Sequence, residues 1–358
     1  MTPVYLDYNA STPIDPRVAD VMRPLLDGPH ANPSALHAGG REARAVIDLA
    51  RAQVAALLGA WFARPDGTDH LGTTTVEHPA VLEPARFLER LGARVTLVPV
   101  DGTGRVDPDE VRRAITPRTF LVSVMHANNE VGTIQPIAEI AAATRGAGVP
   151  LHTDAAQSVG KIPTRVDDLG VDLLSIAGHK LYAPKGIGAL YVRRGVRLEP
   201  FVHGAGHESG RRAGTESALL DAALGEACAI AADLTPMDGV RALRDRLWDG
   251  LRALFGDEVV LNGHPVERLP NTLNVSFVGR PGADVIAALG DVAASTGSAC
   301  HADSIELSPV LTAMGVEPRV GMGAVRLSLG RMTTAAEVEA ALDRFAAVAG
   351  PGVPTAAG

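Results

Sequence analysis

The feature that most constrains the fold is a repeated unit in which an apolar segment ends in polar residues. Three such segments, each with strand character, are 120–125, 149–154 and 171–176. Segments of helical character separate them, and a βαβ alternation of this kind builds a mainly parallel, doubly wound sheet. Because the carboxyl ends of parallel strands meet at one edge, that edge binds ligands. The sequence therefore predicts an α/β fold with a site there.

Lys180 follows the third segment on a turn that begins at Gly178. A lysine that loses water has a lowered pKa and can form a Schiff base with a carbonyl cofactor. Taken alone, such a lysine is more often a solvated residue at a loop tip. Asp154, at the end of the preceding apolar segment, changes this reading because a carboxylate there keeps the ring nitrogen of pyridoxal phosphate protonated. Together the two residues predict a pyridoxal 5'-phosphate site.

Three motifs carry a resemblance to a known family. They are His-x-Asp-Ala-x-Gln-Ser-Val-Gly at 152–160, Ala-Gly-His-Lys-x-Tyr-x-Pro-Lys-Gly at 177–186 and Asn-Asn-Glu-x-Gly at 128–132. The chain resembles the cysteine desulfurases, in the class V aminotransferase branch of fold-type I pyridoxal-phosphate enzymes, from Tyr5 to about Glu337. The resemblance implies a large cofactor-binding domain over 14–255. It also implies a smaller α+β domain, formed by 1–13 and 256–358, that carries the catalytic cysteine.

The resemblance also implies roles for individual residues at the cofactor. His78 matches the histidine that stacks on the ring and moves protons, although a lone histidine before a proline is more often structural. Gln157 matches the residue that bonds the phenolic oxygen. Thr215 matches a residue that reaches the phosphate of a neighbouring subunit, which implies a homodimer; a solvated basic loop is the alternative. The full implied set is His78, Asn129, Asp154, Gln157, His179, Lys180 and Thr215.

Cys300 lies in Ser-Thr-Gly-Ser-Ala-Cys, residues 295–300, which resembles the cysteine loop of the desulfurases allied to iron–sulfur cluster assembly. Small neighbours leave a cysteine exposed and mobile, and its thiolate can then attack a bound substrate. A small buried hydrophobic residue is the alternative for an arbitrary cysteine. The family resemblance allows Cys300 to ligate iron–sulfur clusters transiently, but no resident metal site is predicted. Arg326 matches the arginine that binds the substrate carboxylate, together with Asn129; a structural salt bridge is the alternative.

The implied reaction removes sulfur from L-cysteine, giving L-alanine and a persulfide on Cys300. Lys180, Cys300 and His78 are its catalytic residues. The persulfide sulfur then passes to an acceptor or an iron–sulfur scaffold protein, for cluster assembly or the synthesis of another thio-cofactor. The predicted partners are thus L-cysteine, a sulfur acceptor and a second copy of the chain.

Two departures from the family pattern concern the cofactor phosphate. After Ala60 the chain lacks roughly thirty residues that contain the family's Gly-Thr-Glu-rich phosphate loop, and the pattern resumes at His70. In addition, Ala177 stands where the family often has a serine that contacts the phosphate. Both changes remove hydrogen-bond donors from the same group. The sequence therefore predicts a weakened cofactor site.

Charge and composition exclude other classes of protein. The formal net charge of −8 argues against nucleic acid as the main partner. No run of about 18 apolar residues occurs, so no membrane helix is expected, and the start of the chain does not resemble a signal peptide. The two cysteines, Cys228 and Cys300, form no disulfide framework and suit a reducing cytoplasm. We assign Cys228 no role.

Two other functions remain open from the sequence. A catalytically impaired paralogue could serve as a scaffold in sulfur transfer, and the missing phosphate loop favours this reading. Another enzyme of the same fold, such as a selenocysteine lyase, would retain the same cofactor residues. The intact site favours an enzyme, since a scaffold has no need of every residue in it.

Overall fold

The larger sheet of the protein has six strands in the order β3-β2-β4-β5-β6-β7. The computed structural model describes residues 3–27, 57–296 and 307–349, and the backbone alone of 300–301 and 304–305. Neighbouring strands are parallel except for the last pair, which is antiparallel. The predicted α/β fold with a mainly parallel sheet is therefore confirmed. The strands are β2 His70–Thr74, β3 Arg94–Val98, β4 Thr119–Ser123, β5 Leu151–Asp154, β6 Leu173–Ala177 and β7 Gly188–Val192.

Helices alternate with the strands of the larger sheet and also occur in the C-terminal part of the chain. Several begin where a side chain accepts from the first free amide groups: Asp107, Ser217 and Ser308 each cap a helix in this way. The helices are α1 Pro16–Asp27, α2 Leu57–Phe62, α3 Pro79–Arg90, α4 Pro108–Ala114, α5 Ile137–Gly146, α6 Val166–Leu169, α7 His207–Gly210, α8 Ala218–Ala231, α9 Pro236–Phe255, α10 Gly282–Leu289, α11 Pro309–Ala313, α12 Pro318–Gly321 and α13 Ala335–Ala349.

A second, antiparallel sheet has its own apolar core. Its four strands run in the order β11-β14-β9-β8, and two short pairs, β1-β10 and β12-β13, accompany it. Phe255, Phe277 and Phe345 pack ring against ring at the centre of this core. The strands are β1 Val4–Tyr5, β8 Val259–Asn262, β9 Thr272–Phe277, β10 Val292–Ala293, β11 Ser295–Thr296, β12 Cys300–His301, β13 Ser304–Ile305 and β14 Ala324–Ser328.

Helix α9 belongs to this second core. Its residues Leu247, Leu251 and Phe255 pack with Phe277 and with helix α13. Because α9 ends at Phe255, the second core includes residues that precede the predicted domain boundary at 255. The predicted division of the chain into two domains remains a prediction.

The N-terminal segment crosses from the second sheet to the edge of the first. Val4–Tyr5 pairs in parallel with β10, and Asp7 bridges to Ser328. Farther along, the amide of Thr12 donates to the carbonyl of His179, directly beside Lys180. Residues 4–12 thus place their own backbone and side chains between the two sheets, at the carboxyl edge of the larger one.

The predicted elements differ from the structure at some ends. The sequence of residues 134–145 predicts a helix after the Asn-Asn-Glu turn. In the structure this helix begins only at Ile137, because Ile134 forms a β-bridge with Ala127 and Pro136 precedes the first turn. The amphipathic pattern of residues 39–58 also predicts a helix, and this range lies mostly outside the described residues. Within the part of the chain that the structure describes, no helix is long and apolar enough to cross a membrane.

Candidate active site

Lys180 lies on the 3₁₀ turn Gly178–Lys180 that directly follows β6. Its Nζ donates to the carbonyl oxygens of Asn9, at 2.6 Å, and Ala10, at 2.9 Å. Burial lowers the pKa of Lys180 to about 8, and the positive charge of Arg326 adds to this effect. About a tenth of the amine is therefore neutral at pH 7, so it can act as a nucleophile or a base.

Asp154 ends β5, the neighbour of β6, as the predicted edge requires. One of its oxygens accepts from the amide of Ala156, at 2.9 Å. Burial raises the pKa of Asp154, whereas this hydrogen bond and the charges of His78 and Lys180 lower it. The three predicted residues are therefore close enough to interact electrostatically across the ends of the strands.

His78 caps helix α3, and its ring is exposed. Its Nδ1 accepts from the amide of Ala80, at 3.1 Å. The loss of surrounding water lowers the pKa of His78. The positive charge of Lys180 lowers this pKa further, whereas the negative charge of Asp154 raises it. Because Nδ1 is an acceptor, the neutral ring carries its proton on Nε2. That nitrogen is the one free to exchange a proton at the site.

Gln157 is held in one orientation by a buried lysine. Lys161 Nζ donates to Gln157 Oε1, at 2.9 Å, and Gln157 Nε2 donates to the carbonyl of Asn9, at 3.1 Å. Burial lowers the pKa of Lys161 to about 7. Lys161 could not be recognised from the sequence, although it lies four residues after Gln157, because no motif marks a lysine that folding buries.

His179 is the described residue best suited to bind a phosphate. Its Nδ1 is buried and has no hydrogen-bond partner among the described residues. Burial lowers its pKa, and Lys180 and Lys185 lower it further. Ala177, at the end of β6, offers no side-chain donor. Thr215 is exposed on the chain, and the role predicted for it requires a second subunit.

Glu77 is a further residue of the site that no sequence motif reveals. It is buried, and its Oε1 accepts from Thr74 Oγ1, at 2.7 Å, and from the amide of Met125, at 2.9 Å. Burial raises the pKa of Glu77 to about 8, so the group is largely neutral at pH 7. Glu77 thereby joins the ends of β2 and β4 directly before His78. By fixing the chain directly before His78, Glu77 helps to position that histidine.

Arg326, on β14, lies across the site from the larger sheet and is buried. One of its amino groups donates to the carbonyl of Asn129, at 3.1 Å, and the other donates to Asp7, at 2.9 Å. The structure thus brings together Arg326 and Asn129, the two residues predicted to bind a carboxylate. Asp7 was not predicted, since 319 residues separate it from its partner.

Cys300 is described only through its backbone. It begins β12, which pairs with β13 as a short antiparallel ladder in which Cys300 opposes Ile305. Its side chain lies outside the description, so its predicted role remains a prediction. Cys228 lies on α8, and burial raises the pKa of its thiol. A raised pKa makes a thiol less reactive, which agrees with the absence of an assigned role.

Comparison with known proteins identifies similar chains over most of the sequence. The family model described as "Aminotransferase class-V" matches residues 4–64 and 61–341. The two matches meet at 61–64, where the sequence departs from the family pattern. Within the described residues, no group of three or more His, Cys, Asp or Glu side chains could hold a metal ion.

Curated relatives of this chain carry the name "Cysteine desulfurase IscS". The protein from Dictyoglomus turgidum is 41% identical, over 95% of this chain and 93% of its own. The protein from Pectobacterium carotovorum is 44% identical, over 94% and 90%. Among solved structures, a protein described as "NIFS-LIKE PROTEIN" superposes with a TM-score of 0.89 at 33% identity, covering 97% of this chain and 99% of its own. DndA from Streptomyces lividans gives a TM-score of 0.75 at 33% identity, covering 90% and 99%.

Proposed function

The chain belongs to the class-V aminotransferase family, and on that premise we propose that it is a cysteine desulfurase. It removes sulfur from L-cysteine, releases L-alanine and holds the sulfur as a persulfide on Cys300. The observation that carries this proposal is the cluster of Lys180, Asp154 and His78 at the carboxyl edge of the sheet. Arg326 faces that cluster from the second sheet. The relatives named cysteine desulfurase, at 41–44% identity, support the same activity.

The residues present fit pyridoxal phosphate. Asp154 is an acid suited to a ring nitrogen, Lys180 is an amine of lowered pKa, and His179 Nδ1 is a buried polar atom with no partner in the described part of the chain. Gln157 presents an amide whose orientation Lys161 fixes. When bound, pyridoxal phosphate supplies an electron sink for the substrate's α-carbon. The donors for its phosphate are fewer than in the family pattern, because Ala177 offers none.

The chain's own residues orient the substrate and move its protons. Arg326 binds the substrate carboxylate, since a guanidinium group forms paired hydrogen bonds with a carboxylate. Lys180 Nζ removes the α-proton, and its lowered pKa leaves part of the amine free to do so. His78 holds an exchangeable proton at Nε2 and delivers it to the substrate carbon from which sulfur leaves. Glu77 holds the strand ends behind that ring.

Cys300 completes the reaction. Its thiolate attacks the sulfur of the bound cysteine, the carbon–sulfur bond breaks, and the electron pair remains on carbon. That carbon takes up a proton, and the α-carbon regains the proton that Lys180 removed, which yields alanine and leaves one extra sulfur atom on Cys300. The sulfur then passes to a protein acceptor, with iron–sulfur cluster assembly as the proposed destination. The catalytic thiol must stay reduced between turnovers, and a reducing compartment keeps thiols reduced, which supports the cytoplasm.

A homodimer is part of the proposal. Thr215 is exposed in the single chain, and a second copy would bring it to the phosphate of its neighbour. This contribution is valuable here because the chain itself offers few donors for the phosphate. Selenocysteine is a second candidate substrate, since Lys180, Asp154 and Arg326 would act on it in the same way. Parallel assays with the two amino acids distinguish these substrates.

The test of the function is turnover of L-cysteine in excess pyridoxal phosphate. We expect equal amounts of alanine and of reduced sulfur in the presence of a thiol, and loss of both in Lys180→Ala. In the wild-type protein, borohydride reduction should link the cofactor to Lys180, and to neither Lys161 nor Lys185. A wild-type protein that binds the cofactor but forms no alanine would instead favour a scaffold in sulfur transfer.

A further inference from the structure

Arg326 already has a carboxylate partner in the structure. Asp7 Oδ1 accepts from one of its amino groups, at 2.9 Å, and the two side chains retain only 11% and 16% of their exposure. Under the proposed function, this arginine must bind the carboxylate of the substrate. The carboxylate of Asp7 therefore occupies the guanidinium group that the substrate carboxylate must bind.

The guanidinium group is only partly used. One amino group donates to the carbonyl of Asn129, the other donates to Asp7, and Nε is buried with no hydrogen-bond partner among the residues that the structure describes. Nε and a terminal amino group together form an edge that binds a carboxylate through two parallel hydrogen bonds. Asp7 takes a single bond and leaves the edge incomplete. A substrate carboxylate that binds both Nε and the terminal amino group forms one more hydrogen bond with Arg326 than Asp7 does.

Asp7 has a second partner that stays in place if Arg326 is lost. Ser295 Oγ donates to Asp7 Oδ2, at 2.8 Å. Ser295 lies on β11, directly opposite Arg326 in the antiparallel register. A carboxylate released by the arginine therefore keeps one hydrogen bond on the neighbouring strand. Without that bond, displacement would leave a half-buried charge with fewer partners and would cost more.

We propose that Asp7 is a positioning residue that serves as a displaceable counter-ion of Arg326, with Ser295 retaining it after displacement. Asp7 keeps the arginine extended towards the site between turnovers, and it lowers the affinity for a ligand whose carboxylate must displace it. A ligand without a carboxylate leaves the Asp7–Arg326 pair in place, so its affinity does not depend on the charge of Asp7. The inference rests on the proposed function, because that function makes Arg326 the carboxylate-binding group.

The test compares L-alanine with L-alaninamide, which has the same amine and methyl group but no carboxylate. Each is titrated into the protein in excess pyridoxal phosphate, and binding is read from the cofactor's visible absorption. Asp7→Asn keeps the shape of the side chain and removes its charge. We expect this variant to bind alanine about tenfold more tightly, as removal of a partly buried competing charge allows, with alaninamide unchanged.

Two further variants separate charge from structural damage. Ser295→Ala removes the donor that retains the displaced carboxylate, so alanine should bind about threefold more weakly. Asp7→Glu keeps the negative charge, so its preference for alanine over alaninamide should stay close to that of the wild type. Because the proposal requires opposite shifts in Asp7→Asn and Ser295→Ala, a general loosening of the site cannot reproduce it.

Several outcomes would overturn the inference. In one, Asp7→Asn binds alanine no better than the wild type does; in another, alanine and alaninamide shift together. Thermal melts check that each variant is folded. If Asp7→Asn does not fold, the change in alanine affinity of Ser295→Ala tests the inference. A wild-type protein that releases no sulfur from L-cysteine would overturn the proposed function itself. Sulfur release without the opposite shifts would overturn only the role of Asp7.

Discussion

Replacement of Lys161 by methionine tests how burial controls the charges of the site. Lys161 is 8% exposed, and its Nζ donates to Gln157 Oε1. Burial, with the charges of Lys180 and Arg326, lowers its pKa to about 7. In an unfolded chain the same amine has a pKa near 10.4. Between these two values the unfolded state binds a proton that the folded state has released.

The sign and size of the effect follow from this difference. Stability rises with pH wherever the unfolded state binds more protons, so Lys161 costs stability below pH 7 and progressively less towards pH 10. One pKa unit is worth about 1.4 kcal/mol, so the full difference is on the order of 5 kcal/mol. From pH 7 to pH 9, Lys161 alone should raise the free energy of unfolding by about 2 kcal/mol.

Urea unfolding at pH 7 and pH 9, at one protein concentration, measures this contribution. Lys161→Met should lack the rise of about 2 kcal/mol that the wild type shows relative to it. Lys185→Met is the control, because that lysine is exposed and its replacement should leave the pH dependence unchanged. Parallel pH dependence in the wild type and Lys161→Met would refute the reasoning, since the buried amine would then keep its proton throughout.

Three further predictions concern the cofactor and the substrate. Ala177→Ser adds a donor at the end of β6 and should tighten retention of pyridoxal phosphate about ten- to a hundredfold in equilibrium dialysis; unchanged retention would mean that this position does not meet the phosphate. Coupling of pyridoxal phosphate to Lys180 should speed up with rising pH and level off above about pH 8, where its amine is neutral; stopped-flow absorption that shows no such plateau would contradict the lowered pKa. Arg326→Lys should raise KM for L-cysteine about a hundredfold, since paired hydrogen bonds are lost, with Arg319→Lys on the surface as control; an unchanged KM would remove Arg326 from the carboxylate site.

The sequence predicted the part of the site that follows from chain order. Lys180 and Asp154 each follow a buried strand, and parallel strands place their ends at one edge. No spacing rule brings Asp7 to Arg326, because the two lie on different elements 319 residues apart. The carbonyl of Asn9, which accepts from Lys180, carries no signal in its residue type. Such contacts depend on how the N-terminal segment crosses between the sheets.

Backbone pairing and packing explain the other differences between the predicted and the observed helices. The helix predicted from 134 begins at Ile137, because Thr133 and Ile134 are used in β-bridges to Arg268 and Ala127. Helix α9 lies within 14–255, the range that the resemblance assigns to the large domain, and its apolar face packs on the second sheet. Amphipathic periodicity identifies a buried face without identifying which core covers it.

The most direct test of the central claim is the location of sulfur after a single turnover. The protein is incubated with L-cysteine and excess pyridoxal phosphate, without added thiol, and its peptides are examined by mass spectrometry. The proposed function predicts one extra sulfur atom on the peptide that contains Cys300, matched by one alanine, and none on the peptide that contains Cys228. Alanine formed with no sulfur on Cys300, or with equal sulfur on both cysteines, would contradict it.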